Sequence, residues 1–409
     1  MISKQKGTYD LYGEEARKVL ALRNIFENIM NNINYSFIRT PVFESTELFK
    51  RTSGETSDVV SKEMYEFKDK KDRSLALRPE GTASVARCFI ENKLYTDLPR
   101  KFWYFEPMYR YDRPQKGRYR EHFQFGCEAY GSNDARVDAE IISIPYHLFE
   151  TLGLEGVKVR INTLGDNESR ENYKKALVDY LKPHIDSLCE DCKERFNKNP
   201  LRILDCKVDD QSEILKNAPS ILDYHSKESN NRFNKILTYL DYLDIDYEVD
   251  NTLVRGLDYY DYMVYELKLN DSLALGGGGR YNHLVKNLGG PEVPAVGFAC
   301  GIERIINEMN DESFNNIDVY VMCVNDEEKI KANIITQDLR LNNIICETNV
   351  MGKSLKAQFK EADNMNAKNL IILNSEDLSK GLITVKDNVT KEEVKVPEDE
   401  IIDYILGVI

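Results

Sequence analysis

Between residues 14 and 33 apolar side chains return every three or four positions. Ala16, Val19, Leu20, Phe26, Ile29, Met30 and Ile33 mark the stripe, with Arg23 on it. That spacing predicts an amphipathic helix. A short apolar segment from Phe37 to Phe43 follows, broken by Pro41. The period then drops to two. Residues 101–111 and 121–130 are rich in aromatics and read as strands; the basic stretch between them makes the pair an antiparallel hairpin with a long loop. In the second strand Phe123, Phe125, Cys127 and Ala129 fall on one face, and Gln124, Gly126 and Glu128 on the other.

From about 166 to 245 the pattern turns helical and polar, rich in Asn, Lys and Asp. This stretch lies between two strand-like pieces, VKVRINTL and YEVDNTLVRGLDYY, so it reads as an insertion into the first domain. In the second piece Tyr260 and Tyr262 are expected to share a strand face. Strands return between 253 and 306 and end in GFACGIERIINEM, a strand feeding a helix. NDESFNN, at 310–316, reads as a polar linker. Beyond it, DVYVMCV, a helix over 326–341, IICETNV, a helix over 354–366 and NLIILN alternate, which predicts a parallel α/β sheet. The expected domains are 1–310, carrying the insertion, and 317–409.

Composition adds bounds. The 409 residues fit two or three domains. Apolar residues at 42% suffice for real cores, and charged residues at 30% suit a soluble surface. No run approaches the roughly 18 apolar residues of a membrane span, and the start, MISKQKGTYD, carries no apolar signal core. A cytoplasmic location is expected, with the eight cysteines reduced. The net charge of −14 argues against coating by nucleic acid but leaves room for a local anion site.

That room is filled by YRYDRPQKGRYREHFQFG, which puts Arg110, Arg113, Lys116, Arg118 and Arg120 within eleven residues. A solvated loop is the plain reading of a basic run. Arg110, however, falls at the strand end, sharing a face with Asp112. Guanidinium groups match phosphate and carboxylate oxygens bidentately. LALRPEGTAS brings Arg78 and Glu80 to a strand end just before Thr82, where a helix cap or an amine site are both open readings. Arg255 and Gly256 sit at a turn; a buried arginine needs an anion, and Asp258 is the structural candidate. Gly276–Gly279 match neither a dinucleotide fingerprint nor a P-loop and mark close backbone approach. Cys189-x2-Cys192, with Cys206 beyond and His184 and His225 nearby, resembles a zinc pattern. Cys206 lacks a C-x2-C partner, so the three read as reduced structural thiols and no metal ligand is assigned. His122, His147 and His283 read as structural or surface residues.

Together these segments resemble the class II aminoacyl-tRNA synthetases, and among them the histidyl-tRNA synthetase family, over essentially the whole chain. The helix ending at Pro41 is similar to motif 1, the Arg110 hairpin with RPQKGRYR to motif 2, and GFACGIER to motif 3. RGLDYY and GGGRY are similar to the two segments peculiar to the histidine enzymes. Three neighbours of the motifs depart: Asp112 stands where Glu is common, Glu121 where a neutral residue is usual, and Asn282-His283 where Asp-Gly is common.

The resemblance implies an α+β catalytic domain on an antiparallel sheet, a helical insertion and a C-terminal α/β anticodon-binding domain. It implies ATP-dependent ligation of histidine to tRNA(His) through histidyl-adenylate, with Mg2+ accompanying ATP, in a homodimer. On it, Arg110 grips the α-phosphate, Arg304 the γ-phosphate and Arg118 the outer phosphates, while Phe123 stacks on adenine. Arg255, catalytic together with Arg110, sits by the α-phosphate and the histidine carboxylate. Glu80, Thr82 and Gln124 hold the α-amino group; Glu128 and Tyr260 face the imidazole, with Tyr281 beside them. Two other readings stand. One is the synthetase-like regulatory subunit of ATP phosphoribosyltransferase, which typically lacks the C-terminal domain. The other is a class II synthetase for glycine, threonine or proline, which lacks RGLDYY.

Overall fold

A computed structural model describes residues 2–54, 57–206, 208–209, 211–270, 274–309 and 317–408. The linker expected at 310–316 lies outside the described residues. The chain divides into two compact units, 1–309 and 310–409.

In the first unit the strands are β1 (Ser36–Phe37), β2 (Phe43–Ser45), β3 (Glu66–Lys68), β4 (Ser74–Leu77), β5 (Arg100–Tyr109), β6 (Glu121–Tyr130), β7 (Val157–Thr163), β8 (Tyr247–Val249), β9 (Asp261–Leu269), β10 (Gly276–Arg280) and β11 (Ala295–Gly301). Eight form one sheet in the order β1-β5-β6-β11-β10-β9-β7-β8; β2, β4 and β3 form a small one. All pairings in the large sheet are antiparallel except β1–β5 and β7–β8 at its edges. The β5–β6 hairpin runs unbroken from Arg100↔Tyr130 to Tyr109↔Glu121.

One face of this sheet is a hydrocarbon core. The first helix, Gly13–Asn32, lays Phe26 against Trp103 (ring centroids 5.6 Å apart) and Phe125 (4.5 Å). Its buried stripe is Lys18, Val19, Leu22, Phe26 and Met30. Leu20 and Arg23, expected on that stripe, are exposed, because the true face is turned by about one residue. The opposite face carries the helix Thr82–Glu91, with Phe89 stacked on Tyr130 at 4.3 Å. The insertion, built on the helices Asn167–Leu181, Glu190–Lys198 and Lys227–Tyr242, packs Leu177, Leu181, Cys192 and Ile203 into the same cluster.

Three local expectations fail. Arg110 lies just past β5, and the Asp112 N–H turns back onto the Arg110 carbonyl (2.8 Å), so alternation no longer places the two side chains together. Tyr260 precedes β9, while Tyr262 is left-handed (φ +50°) beside a register shift at Gly279/Arg280; the two rings part. Arg255 pairs with Glu266 on β9 rather than with Asp258, which accepts from Asn199 Nδ2 at 3.1 Å.

The second unit contains β12 (Val319–Met322), β13 (Cys346–Thr348), β14 (Asn369–Ile372), β15 (Leu382–Asp387) and β16 (Glu393–Pro397), ordered β13-β12-β14-β15-β16. Helices Asp326–Leu341 and Leu355–Asn364 form where the pattern placed them. The sheet is mixed rather than parallel: β13, β12 and β14 are parallel, but β15 and β16 add a terminal antiparallel hairpin.

Candidate active site

Side chains alternate across a strand, so the non-core face of β6 presents His122, Gln124, Gly126 and Glu128 in a row. Glu128 ends that row inside the molecule, 1% exposed. Its Oε1 accepts from Thr82 Oγ1 (2.8 Å) and Tyr104 Oη (3.3 Å), and its Oε2 from Tyr281 Oη. Burial lifts its pKa to about 8, against the pull of the Tyr281 and Thr82 hydrogen bonds. Tyr281 is in turn packed by Tyr259 (5.4 Å) and Tyr260 (6.2 Å). The floor must be glycine: a Cβ on Gly297 would run into Glu128 Oε2 and come within 2.5 Å of Tyr281 Oη. The result is an acidic and phenolic wall at one end of the row.

Glu80 stands beside it. Its carboxylate takes the first free N–H groups of the Thr82–Glu91 helix, Thr82 at 2.7 Å and Ala83 at 2.9 Å. The cap reading of this residue is thus realised in the structure, with the carboxylate still lining the pocket wall through Thr82. Gln124 Oε1, on the same face of β6, is buried without a hydrogen-bond partner among the described residues.

The site's arginines come from three stretches: the β5–β6 hairpin loop (Arg110 and Arg118), the turn before β9 (Arg255) and the helix after β11 (Arg304). Arg110 is fixed by its Nε on the Pro79 carbonyl (2.8 Å), Arg118 by Asp112 (3.2 Å), Arg304 by the Gly117 (3.2 Å) and Ala274 carbonyls, and Arg255 by Glu266. Their charges bear on one another: desolvation, then Arg118 and Arg110, with a smaller push from Arg255 and with Glu266 opposing, hold the half-buried Arg304 below its ordinary range. Four like charges held near one another by neutral carbonyls and two carboxylates form a prepared anion site. Arg120, by contrast, lies over the Tyr111 ring at 3.8 Å, and Arg113 and Lys116 are exposed.

Phe123 is the site residue that the structure does not bring here. It lies on the core face with Phe125, its ring 6.4 Å from Phe105. The flat ring on the ligand face is His122, read from sequence as structural. Burial, then Arg110 and Arg304, push its pKa down to about 3, so it is a neutral imidazole beside the arginines, and its Nδ1 has no partner among the described residues. The alternation of FQFGCEAY carried this signal, since residue 122 shares parity with 124 and 128. Glu303 is a second omission: it accepts from Tyr9 Oη and from the Phe123 N–H, both at 2.7 Å, tying the N-terminal segment to β6. Arg280, buried on Asp138 (2.7 Å), and Asn282, whose N–H meets Asp261 (2.9 Å), fix Tyr281 from either side.

An arginine group beside an acidic, phenolic wall suits a nucleotide and a small ligand with two ring nitrogens. The family described as "Histidyl-tRNA synthetase" matches residues 7–305, and that described as "Anticodon binding domain" matches 318–407. The chain is 45% identical to a histidine–tRNA ligase of Geobacillus sp. (98% of this chain, 97% of the relative) and 46% identical to one from Clostridium botulinum (97% of each). Its fold is similar to the crystal structure of apo S. aureus histidyl-tRNA synthetase, with TM-score 0.81 and 36% identity over 99% of this chain and 100% of that one.

Proposed function

The chain belongs to the histidyl-tRNA synthetase family and is a histidine–tRNA ligase, and we propose that it draws on ATP and runs both steps on the face of β6. In the first, a histidine carboxylate oxygen attacks the α-phosphorus of ATP; the bond to the β-phosphate breaks and pyrophosphate leaves. In the second, a ribose hydroxyl at the 3′ end of the tRNA attacks the histidyl carbonyl and AMP leaves.

Such chemistry asks for positioning and charge compensation more than for covalent help. Arg110 and Arg255 flank the α-phosphate and offset charge as it develops. Arg118 and Arg304 hold the outer phosphates, and His122 supplies the surface under adenine. Gln124 receives the α-amino group beside Glu80 and Thr82. Glu128, with Tyr281 and Tyr260, takes the imidazole, whose two nitrogens offer one proton and one lone pair. Mg2+ carried by the nucleotide would neutralise phosphate charge, and Glu266, a hard oxygen donor near the arginines, would be the carboxylate to hold it.

The observation that carries this reading is the adjacency of the Glu128 wall on β6 to the four-arginine group that the hairpin loop, the turn before β9 and the helix after β11 supply. The regulatory-subunit reading finds less support, since relatives named as ligases cover the whole length and residues 318–407 match the anticodon-binding family. We also propose a homodimer through the motif 1 region, where Phe37, Phe43 and Phe67 are 42–54% exposed. The eight free thiols fit a cytoplasmic setting, and among the described residues no helix is long and apolar enough to cross a membrane.

Pyrophosphate–ATP exchange, run with each amino acid in turn, tests the reading. Exchange with histidine alone is expected. No exchange, or exchange with another amino acid, overturns it.

A further inference from the structure

We infer that the insertion holds a structural zinc ion, bound by Cys189, Cys192, Cys206 and Asp209. The four ligand atoms lie within 4.8 Å of one another. Cys189 Sγ and Cys206 Sγ are 3.6 Å apart, as are Cys206 Sγ and Asp209 Oδ2. A tetrahedral ion with Zn–S bonds of about 2.3 Å spaces its sulfurs about 3.8 Å apart, so one ion fits the cluster with little movement.

The sequence gains a symmetry it did not show as a cysteine count. Cys189-x2-Cys192 is answered by Cys206-x2-Asp209, with the second half ending in a carboxylate. Each half is a tight turn. Cys189 precedes the helix Glu190–Lys198 and Cys192 sits in its first turn; Cys206 follows the 3-10 turn Pro200–Ile203. The Asp209 N–H points at Cys206 Sγ (3.4 Å), and the Cys189 N–H reaches Asp209 Oδ2 (3.0 Å). Amide donors aimed at a sulfur and at a carboxylate hold those two atoms in place around one point. Three soft donors and one hard one select zinc over magnesium or calcium. The histidines near in sequence are elsewhere: His225 meets the Thr163 carbonyl at 3.1 Å, and His184 packs on Tyr180.

A staple here has a consequence for the pocket. The segment between the two halves contains Asn199, whose amide donates to Asp258, and Arg202, which lies against Gly256. Asn199, Arg202, Arg255, Asp258 and Tyr260 line one cavity of about 310 Å³. Zinc would fix the turn that backs the Arg255–Tyr260 segment.

Metal content of the full-length, untagged protein decides the matter, measured by mass spectrometry after equilibration with zinc and exhaustive dialysis. About one zinc per chain is expected, with cobalt substitution giving a thiolate-to-metal charge-transfer band. Asp209→Ala should lose zinc to a competing chelator sooner than wild type, and Asp209→Cys later; Asp209 does not touch the nucleotide site. Zinc below about 0.1 per chain in wild type overturns the inference, as does a Cys189–Cys206 disulfide with no zinc. Histidine-dependent exchange on the same preparations separates the readings: exchange without zinc refutes only the metal site, and zinc without exchange refutes only the proposed function.

Discussion

Glu128 accepts hydrogen bonds from Thr82, Tyr104 and Tyr281, yet burial still lifts it to about 8. Free histidine loses its ring proton near 6.5, so between about 6.5 and 8 the two partners bring one proton to a site that needs one. Below that window they bring two, above it none. The KM for histidine in exchange should therefore be lowest inside the window, and Glu128→Gln should remove the alkaline rise while raising KM throughout. An alkaline limb that survives in the variant would contradict this. The sign for stability is related: with its pKa raised from 4.5 to about 8, the contribution of Glu128 to the stability of the empty protein is full below 4.5 and is lost as pH climbs to 8. His122 gives a second test. Replacing it with Ala should raise the KM for ATP by about fivefold or more, as loss of a stacking ring worth roughly 1–3 kcal/mol implies. Phe123→Leu should lower the melting temperature and leave that KM unchanged; the reverse pattern would restore Phe123 to the nucleotide. Strand parity made this distinction readable in FQFGCEAY. A role drawn from resemblance to a motif, which fixes neighbourhood better than parity, hid it.

The elements that were legible are those with a strong period: the first helix, the β5–β6 hairpin and the two long helices of the second unit. What was not legible depends on contacts far apart in sequence. Arg255 meets Glu266 because a left-handed Tyr262 and a register shift set how β9 begins, and no local pattern announces either. The antiparallel β15–β16 hairpin follows a run of parallel units and breaks their rule only at the sheet edge. The four glycines of β10 are a case between. Their sequence signalled close approach, and the structure says to what. A Cβ on Gly278 would strike the Gly297 carbonyl oxygen and come within 2.8 Å of Phe298 Cα, both backbone atoms of β11. Neither can swing aside as a side chain would. Gly278→Ala should cost about 1–3 kcal/mol, seen as a lower urea midpoint. A change below about 0.5 kcal/mol would mean that β10 and β11 part easily, and that glycine here serves something other than strand spacing.

Every residue proposed to touch histidine or ATP lies in the first unit, and the second closes a core of its own from Val319, Val321, Ile335, Leu339, Ile371 and Ile383. Separate cores make separate folding units, and separate folding units allow the two halves of the reaction to be parted. Forming the adenylate needs only the pocket on β6. Charging tRNA also needs the nucleic acid, and a chain with net charge −14 has no diffuse attraction to offer it. Affinity must then come from local contacts, and residues 318–407 match an anticodon-binding family. A chain ending at residue 309 should accordingly keep histidine-dependent exchange within about threefold of the full protein, a change under 1 kcal/mol in the barrier. Its kcat/KM for tRNA should fall by about tenfold or more, the loss of at least 1.4 kcal/mol of binding. Parallel loss of both activities in a truncated chain that still melts cooperatively would show that the second unit shapes the pocket itself. The four-arginine group would then depend on more of the molecule than the strands and loops that carry it.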